Sequence, residues 1–184
     1  MVAKIILNPY SARWGAKERF PEAVAALESA GVAFDVARSK GRNDCMKLAE
    51  EAVNEGFSTI IAAGGDGTIG EVVNGMAQAT PEGEDLPTFG IIPLGTANDL
   101  ICNLNMPTDL NEAAKIIAAG KTRQMDLCAV NGRFFANNAA IGLEPQVTIT
   151  QEKIGWLKGI PRYLYAALSA IYQGASWEAE LEWD

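Results

Sequence analysis

The sequence predicts an α/β fold built on a largely parallel sheet, and three observations carry that expectation. Strand-like and helix-like patterns alternate through the first hundred or so residues, as in successive βα units. The apolar run STIIAA at 58–63 has no polar alternation, which suits a strand covered on both faces. Two glycine-bearing turns, GGDGT at 64–68 and GTAND at 95–99, each follow a strand.

VAKIIL at 2–7 is the first strand and breaks at Asn8-Pro9 into the polar loop NPYSARWGA. Phe20, Val24 and Leu27 recur at the spacing of one helical face, until Gly31 stops the helix. VAFDVA at 32–37 is the second strand. Cys45, Leu48, Ala49 and Ala52 mark the next helix, ended by Gly56 ahead of the third strand at 58–63. Thr68-Ile69-Gly70-Glu71 has capping-box spacing, with the threonine oxygen taking the Glu71 N–H while Glu71 reaches back, so a helix is expected to begin at Thr68. Its apolar stripe is Ile69, Val72, Val73 and Met76. PTFGIIP at 87–93 is the fourth strand, and in the turn after it Thr96 is the candidate cap. Ala113, Ile116 and Ile117 mark one more short helix.

Past residue 122 the pattern changes. QMDLCAV and RFFANNAAIG flank Asn131-Gly132, the strongest short hairpin signal in the chain. EKIGWLKGIPRYLYAALSAIY reads as helical around Leu164, Ala167, Leu168 and Ile171, and WEAELEW at 177–183 alternates like a strand. The expected organisation is therefore an α/β domain at 1–122 and a second, β-rich unit at 123–184. That second unit has too few strands to close a core of its own, so it either packs on the first domain or is the start of something larger.

Composition removes several function classes. The 184 residues are 48% apolar and 21% charged, ordinary for a globular chain with a proper core. The net charge of -8 repels nucleic acid, so no nucleic-acid partner is expected. There is no histidine, which excludes Ser-His-Asp and Cys-His catalysis within the chain and leaves acid-base work to carboxylates. Cys45, Cys102 and Cys128 are far apart and fit small, reduced, buried hydrophobes of a cytoplasmic protein. The amino-terminal apolar run is broken by Lys4 and is too short for a secretory leader, and no stretch reaches the length of a membrane span.

The glycine turns carry the chemistry. Gly65-Asp66-Gly67-Thr68-Ile69-Gly70 matches the dinucleotide fingerprint but follows the third strand instead of the first, and the acids about 20 residues on, Glu84 and Asp85, precede the next strand where the fingerprint's ribose-binding acid follows the second. Neither turn has the GK[ST] ending of a P-loop. Gly64, Gly65 and Gly67 would still let backbone N–H groups crowd toward one anion. A bare carboxylate, Asp66, beside phosphates makes sense if a divalent cation lies between them or if it takes a proton from an attacking hydroxyl. The second turn, Gly95-Thr96-Ala97-Asn98-Asp99, repeats the device, and the loop Asn8-Pro9-Tyr10-Ser11 should leave the first strand at the same sheet edge. Taken singly, each glycine turn has a plainer reading as a helix cap with no ligand.

NPYS, GGDGTIGEVVNG, IPLGTANDL, MDL at 125–127, FFANNAAIGLE and KGIPRYLYAAL together resemble the diacylglycerol kinase catalytic domain family, which includes soluble bacterial lipid kinases and sphingosine kinases and is distantly related to NAD kinases. The resemblance implies a Rossmann-like, NAD kinase-like nucleotide-binding domain followed by the start of an incomplete β-sandwich. It implies ATP across Asn8, Pro9, Ser11, Ser39, the Gly64–Thr68 turn (with Glu71 and Asn74 behind it) and Thr96 of the Gly95 turn. Asp66 would hold Mg2+ or act as base, and Asn98 and Asp99 would brace the nucleotide loop. A lipid hydroxyl, held between the two domains near Asn137, Gly142 and Glu144, would accept the γ-phosphate. An NAD or sphingoid-base acceptor and a nucleotide-binding fragment without catalysis are the alternatives.

Two departures stand out: Ala12 occupies a position where the family usually has glycine, and the Asp-Gly-Glu motif of the family's carboxyl-terminal part does not occur. The stretch 153–165, with Trp156, Lys158, Arg162, Tyr163 and Tyr165, suits transient contact with the inner membrane face, against a packed helix whose core face is Leu164, Leu168 and Ile171. A homodimer is left open as a further partner state.

Overall fold

The computed structural model describes residues 2–157, 159–174 and 180, and divides into two compact units, Met1–Asn137 and Asn138–Asp184. In the first unit, Val2–Leu7 (β1), Ala33–Arg38 (β2), Thr59–Gly64 (β3) and Thr88–Pro93 (β4) form one parallel sheet in the order β2-β1-β3-β4. Gly15–Ser29 (α1), Asp44–Asn54 (α2), Asp66–Ala79 (α3), Asp99–Asn103 (α4) and Leu110–Ala119 (α5) cover it. The expected Rossmann-like α/β architecture is therefore observed.

Strand alternation sorts the core into two layers. Ile5, Leu7, Ile61, Ala63 and Ile92 face α1 and α5, against Phe20, Leu27, Leu110 and Ala113. Ile6, Ile60, Ala62 and Ile91 face α2, α3 and α4, against Cys45, Ala49, Val72, Met76 and Ile101. The chain steps from β1 to one side through α1, then crosses back over β1 to β3 and on to β4 through α2 and α3. Parallel crossovers are right-handed in about 98% of cases, so that reversal sends α1 to one face and α2 and α3 to the other. Helices α2 and α3 approach closely because residue 75 is glycine, where a Cβ would collide with the Met46 carbonyl.

Cys128–Val130 (β5) and Arg133–Phe135 (β6) pair antiparallel across Asn131 and Gly132, both at positive φ as a type I′ turn requires. The arms are shorter than expected, three residues each. Leu127, Phe134 and Ala136 pack on the core layer of α2 and α3, so the hairpin lies within the first unit, as does residue 122.

The second unit contains Leu143–Lys153 (α6) and Ile160–Tyr172 (α7). The single long helix expected here is in fact two, α6 ending at Lys153 and α7 starting after Gly159, which has positive φ; the carboxyl-terminal end of α6 is its beginning. The Arg162 guanidinium donates to the Gln151 carbonyl and ties the pair together. Val147, Ile154, Ala166 and Ala170 form its small core. The expectation that Leu164, Leu168 and Ile171 face a core is overturned, since all three are exposed and the smaller Ala166 and Ala170 are buried instead. The strand expected at 177–183 and the role expected of Lys158 lie outside the described residues.

Candidate functional site

Four loops leave the sheet at its carboxyl edge, after Leu7, Arg38, Gly64 and Pro93, and the registers keep those ends level. Strands β1 and β3 are neighbours whose chains depart to opposite faces, toward α1 and α3. Open α/β sheets bind ligands at such a switch point. Here the two loops are laced together: the Asn8 N–H donates to the Ala63 carbonyl at 3.0 Å, and Asn8 Nδ2 donates to Thr68 Oγ1 at 3.0 Å. Ser11 Oγ lies 3.1 Å from the same Thr68 oxygen, and Asn8 Oδ1 accepts from the Tyr10 N–H. Thr68 is thus a buried node of the crevice.

The expected capping box is not formed. Helix α3 begins at Asp66, two residues early, with Gly65 as its N-cap and no side-chain cap. Ile69 is the first residue whose N–H reaches an intrahelical carbonyl, that of Gly65. The N–H groups of Asp66, Gly67 and Thr68 precede it and have no carbonyl inside the helix, which makes this end of a 14-residue helix a ready anion cradle. Glycine is required for sterics at two places here. A Cβ at Gly64 would collide with the Thr68 side chain, and one at Gly95 would collide with the Gly65 Cα, because the two glycine turns touch backbone to backbone.

Asp66 is half-buried and its Oδ1 accepts the Leu100 N–H at 3.3 Å, so one oxygen caps α4. Among the described residues, Oδ2 has no protein partner. The two oxygens of Glu71 accept from the N–H groups of Asn43 and Cys45, capping the start of α2. Asn74 is buried further along α3, and its amide pairs with both backbone groups of Phe134, at 2.7 and 2.9 Å, as a strand neighbour would. Both residues tie α3 to neighbouring elements, Glu71 to the start of α2 and Asn74 to β6.

The Gly95 turn differs from expectation in one respect. Thr96 is exposed and caps nothing; α4 starts at Asp99 with Asn98 as N-cap in the left-handed region. Asn98 is buried, donates to the Gly95 carbonyl at 3.3 Å and keeps Oδ1 without a partner. Asp99 is exposed at the start of α4. Pro9 is half-buried beside Asn8, and Ser39 is buried at the end of β2, its N–H on the Leu7 carbonyl and its Oγ without a conventional partner. The Cys45 sulfur beside it is only a weak acceptor, and burial pushes that thiol up to about 11. The remaining two cysteines contradict the expectation of burial, since Cys102 and Cys128 are exposed.

Asn137 closes the first unit, where its Oδ1 accepts from Asn103 Nδ2 at 2.7 Å. Gly142 and Glu144 belong to the second unit, as N-cap and first turn of α6. The loop after β1 carries strain: Ala12, Arg13 and Trp14 all have positive φ. Glycine adopts that region freely, whereas alanine does not.

A profile of the diacylglycerol kinase catalytic domain matches residues 2–130, most of the chain and all of the sheet. The chain belongs to the diacylglycerol kinase catalytic domain family. Curated members of this diacylglycerol kinase family from Staphylococcus aureus, strains MRSA252 and Newman, are 35% identical over 183 residues, 99% of this chain. The chain spans 57% of the length of these relatives. The crystal structure of a diacylglycerol kinase from Bacillus anthracis str. Sterne superposes with a TM-score of 0.62 at 32% identity, covering 73% of this chain and 45% of that one. In this family member, sequence reasoning missed the Leu100 N–H as the partner of Asp66. The only available hint was the run of orphan N–H groups that any short helix presents.

Proposed function

We propose that this chain provides the nucleotide site of an ATP-dependent lipid kinase, which transfers the γ-phosphate to a hydroxyl of a diacylglycerol-like lipid. One observation carries the reading: the uncapped N-terminus of α3 opens at the β1/β3 switch point, opposite Asn8 and Ser11, with a carboxylate oxygen of Asp66 beside it. The relatives named diacylglycerol kinases support the lipid acceptor.

In this reading the N–H groups of Asp66, Gly67 and Thr68 take the phosphate oxygens, aided by the positive end of the helix dipole. Asn8 and Ser11 hold Thr68, so the cradle is set before the ligand arrives. Ser39 and Thr96 line the neighbouring loops along which the rest of the nucleotide lies. The two glycine turns, 64–68 and 95–99, contain no lysine or arginine, and Asp66 and Asp99 are negative, so a triphosphate needs a cation here. Mg2+ fits that need, with Asp66 as the ligand, and would neutralise charge on the transferring phosphate. Asp66 Oδ2 is also the group that could accept the proton of the lipid hydroxyl. Among the described residues no helix is long and apolar enough to cross a membrane. In this reading the lipid is taken from the inner membrane face by transient contact.

The test uses the whole chain with γ-labelled ATP and dioctanoylglycerol, sphingosine or NAD as acceptor. Labelled product is expected with dioctanoylglycerol. Asp66→Asn should lower that rate by about 10²-fold or more while ATP still raises the melting temperature. An unchanged rate would remove Asp66 from the chemistry. Stabilisation by ATP with no transfer to any acceptor would leave a nucleotide-binding chain without turnover.

A further inference from the structure

The loop after β1 makes a left-handed turn over Ala12, Arg13 and Trp14, with φ of 51°, 54° and 79°. Residues with a side chain visit that region singly and at a cost, so three in succession persist only where their surroundings hold them. Four contacts do so here. The Trp14 N–H donates to the Tyr10 carbonyl at 3.4 Å, and the two rings meet edge to face at 4.6 Å. The Tyr10 hydroxyl donates to the Lys40 carbonyl at 3.2 Å, and Ser11 Oγ lies 3.1 Å from Thr68 Oγ1. The last of these fastens the turn to the phosphate cradle. None of them buries the indole, which remains 54% exposed. Strained backbone thus holds a large flat ring at the surface, next to a nucleotide loop.

Trp14 also forms part of the wall of a half-open cavity of about 430 Å³, the size of a small-molecule pocket. Pro9 and Ser39 line the same cavity, so it is continuous with the nucleotide site. Ser39 is 3% exposed and its Oγ has no conventional partner. Lys17, Arg38 and Lys40 line the cavity and no carboxylate does, which suits a ligand bearing phosphate. A buried hydroxyl without a partner and an uncovered indole face call for one kind of guest: a flat heterocycle, apolar on its face and polar at its edge.

We propose that Trp14 is the nucleobase-stacking residue of this chain. The purine of ATP lies face-on against the indole with a polar edge on Ser39 Oγ, and the triphosphate runs to the N–H groups at the start of α3. Tyr10 positions the indole through the edge contact. The larger ring of a purine covers more of the indole than a pyrimidine does, so Trp14 sets a preference for ATP over CTP. The inference rests on the nucleotide reading and deepens it, since the residues named above for ATP do not include Trp14.

The whole chain, with Mg2+, is titrated with ATP, CTP and inorganic tripolyphosphate, followed by tryptophan fluorescence and melting temperature. ATP is expected to quench the emission, and tripolyphosphate to raise the melting temperature without quenching. Trp14→Phe keeps an aromatic face and should retain ATP affinity while the quench disappears. Trp14→Ala should weaken ATP roughly tenfold or more, the scale of one lost stacking contact, and leave tripolyphosphate as in the parent. Unaltered ATP affinity in Trp14→Ala overturns the assignment, as does equal weakening of ATP and tripolyphosphate, because a ring that only props the loop would lower both. Equal affinity of the parent for ATP and CTP overturns it too. Trp14-dependent binding without transfer to any acceptor would refute the kinase reading and leave the base site standing, whereas no response to ATP or tripolyphosphate would remove both.

Discussion

Single side chains in this molecule are governed by what surrounds them more than by their type. Cys45 is fully buried between α2 and the strands, and the removal of water from around its thiol, opposed by Ser39 and reinforced by Glu71 and Asp44, raises its pKa to about 11. The raised value keeps the group a neutral thiol through the neutral range, and the thiolate forms only as the pH approaches 11. Titration of the native protein with an aromatic disulfide at pH 8 should therefore modify two thiols, the exposed Cys102 and Cys128, and a third only after unfolding. Three fast thiols would contradict the burial of Cys45. Lys4 shows the same dependence on surroundings. Its ammonium reaches Asp35 at 2.8 Å and Glu55 at 3.3 Å and lies over the Phe57 ring, and these bonds raise its pKa and lower that of Asp35. The depressed carboxyl contributes stability that is present above the usual carboxylate range and disappears as the pH falls through the lowered value. Asp35 is exposed, so that contribution is small.

At the scale of elements, the parts that position the site are held by contacts between helices. Helix α3 supplies the phosphate cradle at one end, caps α2 through Glu71 and grips β6 through Asn74. Its fit on α2 depends on Gly75, where any side chain would strike the Met46 carbonyl, which belongs to backbone and has little room to yield. Gly75→Ala should destabilise the protein by roughly 1–3 kcal/mol, the range typical of overpacking, despite the better helix propensity of alanine. Urea midpoints of variant and parent measure it, and a stabilised variant would mean that α2 and α3 pack less closely. Helices α1, α2, α3 and α5 are legible in the sequence because each carries a regular apolar stripe. Helix α4 is five residues long, too short for a period to register. Helix α6 contains the run Val147-Thr148-Ile149-Thr150, β-branched throughout, which locally favours a strand; only the docking of Val147 against α7 explains the helix.

Across the whole molecule, stability is unevenly divided. Both large core layers, with the sheet and the hairpin, lie inside residues 1–137, while among the described residues Val147, Ile154, Ala166 and Ala170 make up the core of the second unit. Burial of apolar surface is what offsets chain entropy, so a fragment of residues 1–137 should fold alone with a single cooperative urea transition, whereas residues 138–184 alone should show none. Circular dichroism of the two fragments decides this. Among the described residues, helix α7 leaves Leu164, Leu168, Ile171 and Tyr172 exposed while burying Ala166 and Ala170 on its other side.

The sequence by itself determined the parallel sheet, its four strands, the helices with apolar stripes and the placement of glycines after β3 and β4, because periodicity and turn chemistry act over a few residues. Tertiary structure alone decided what the polar side chains do. Thr68 binds Asn8 and Ser11 instead of capping its own helix, Glu71 caps α2, and Asn74 pairs with Phe134, across separations of 26 to 60 residues. A donor or acceptor can be satisfied equally well by a local or a distant partner, and only the closing of the sheet brings the distant ones within reach.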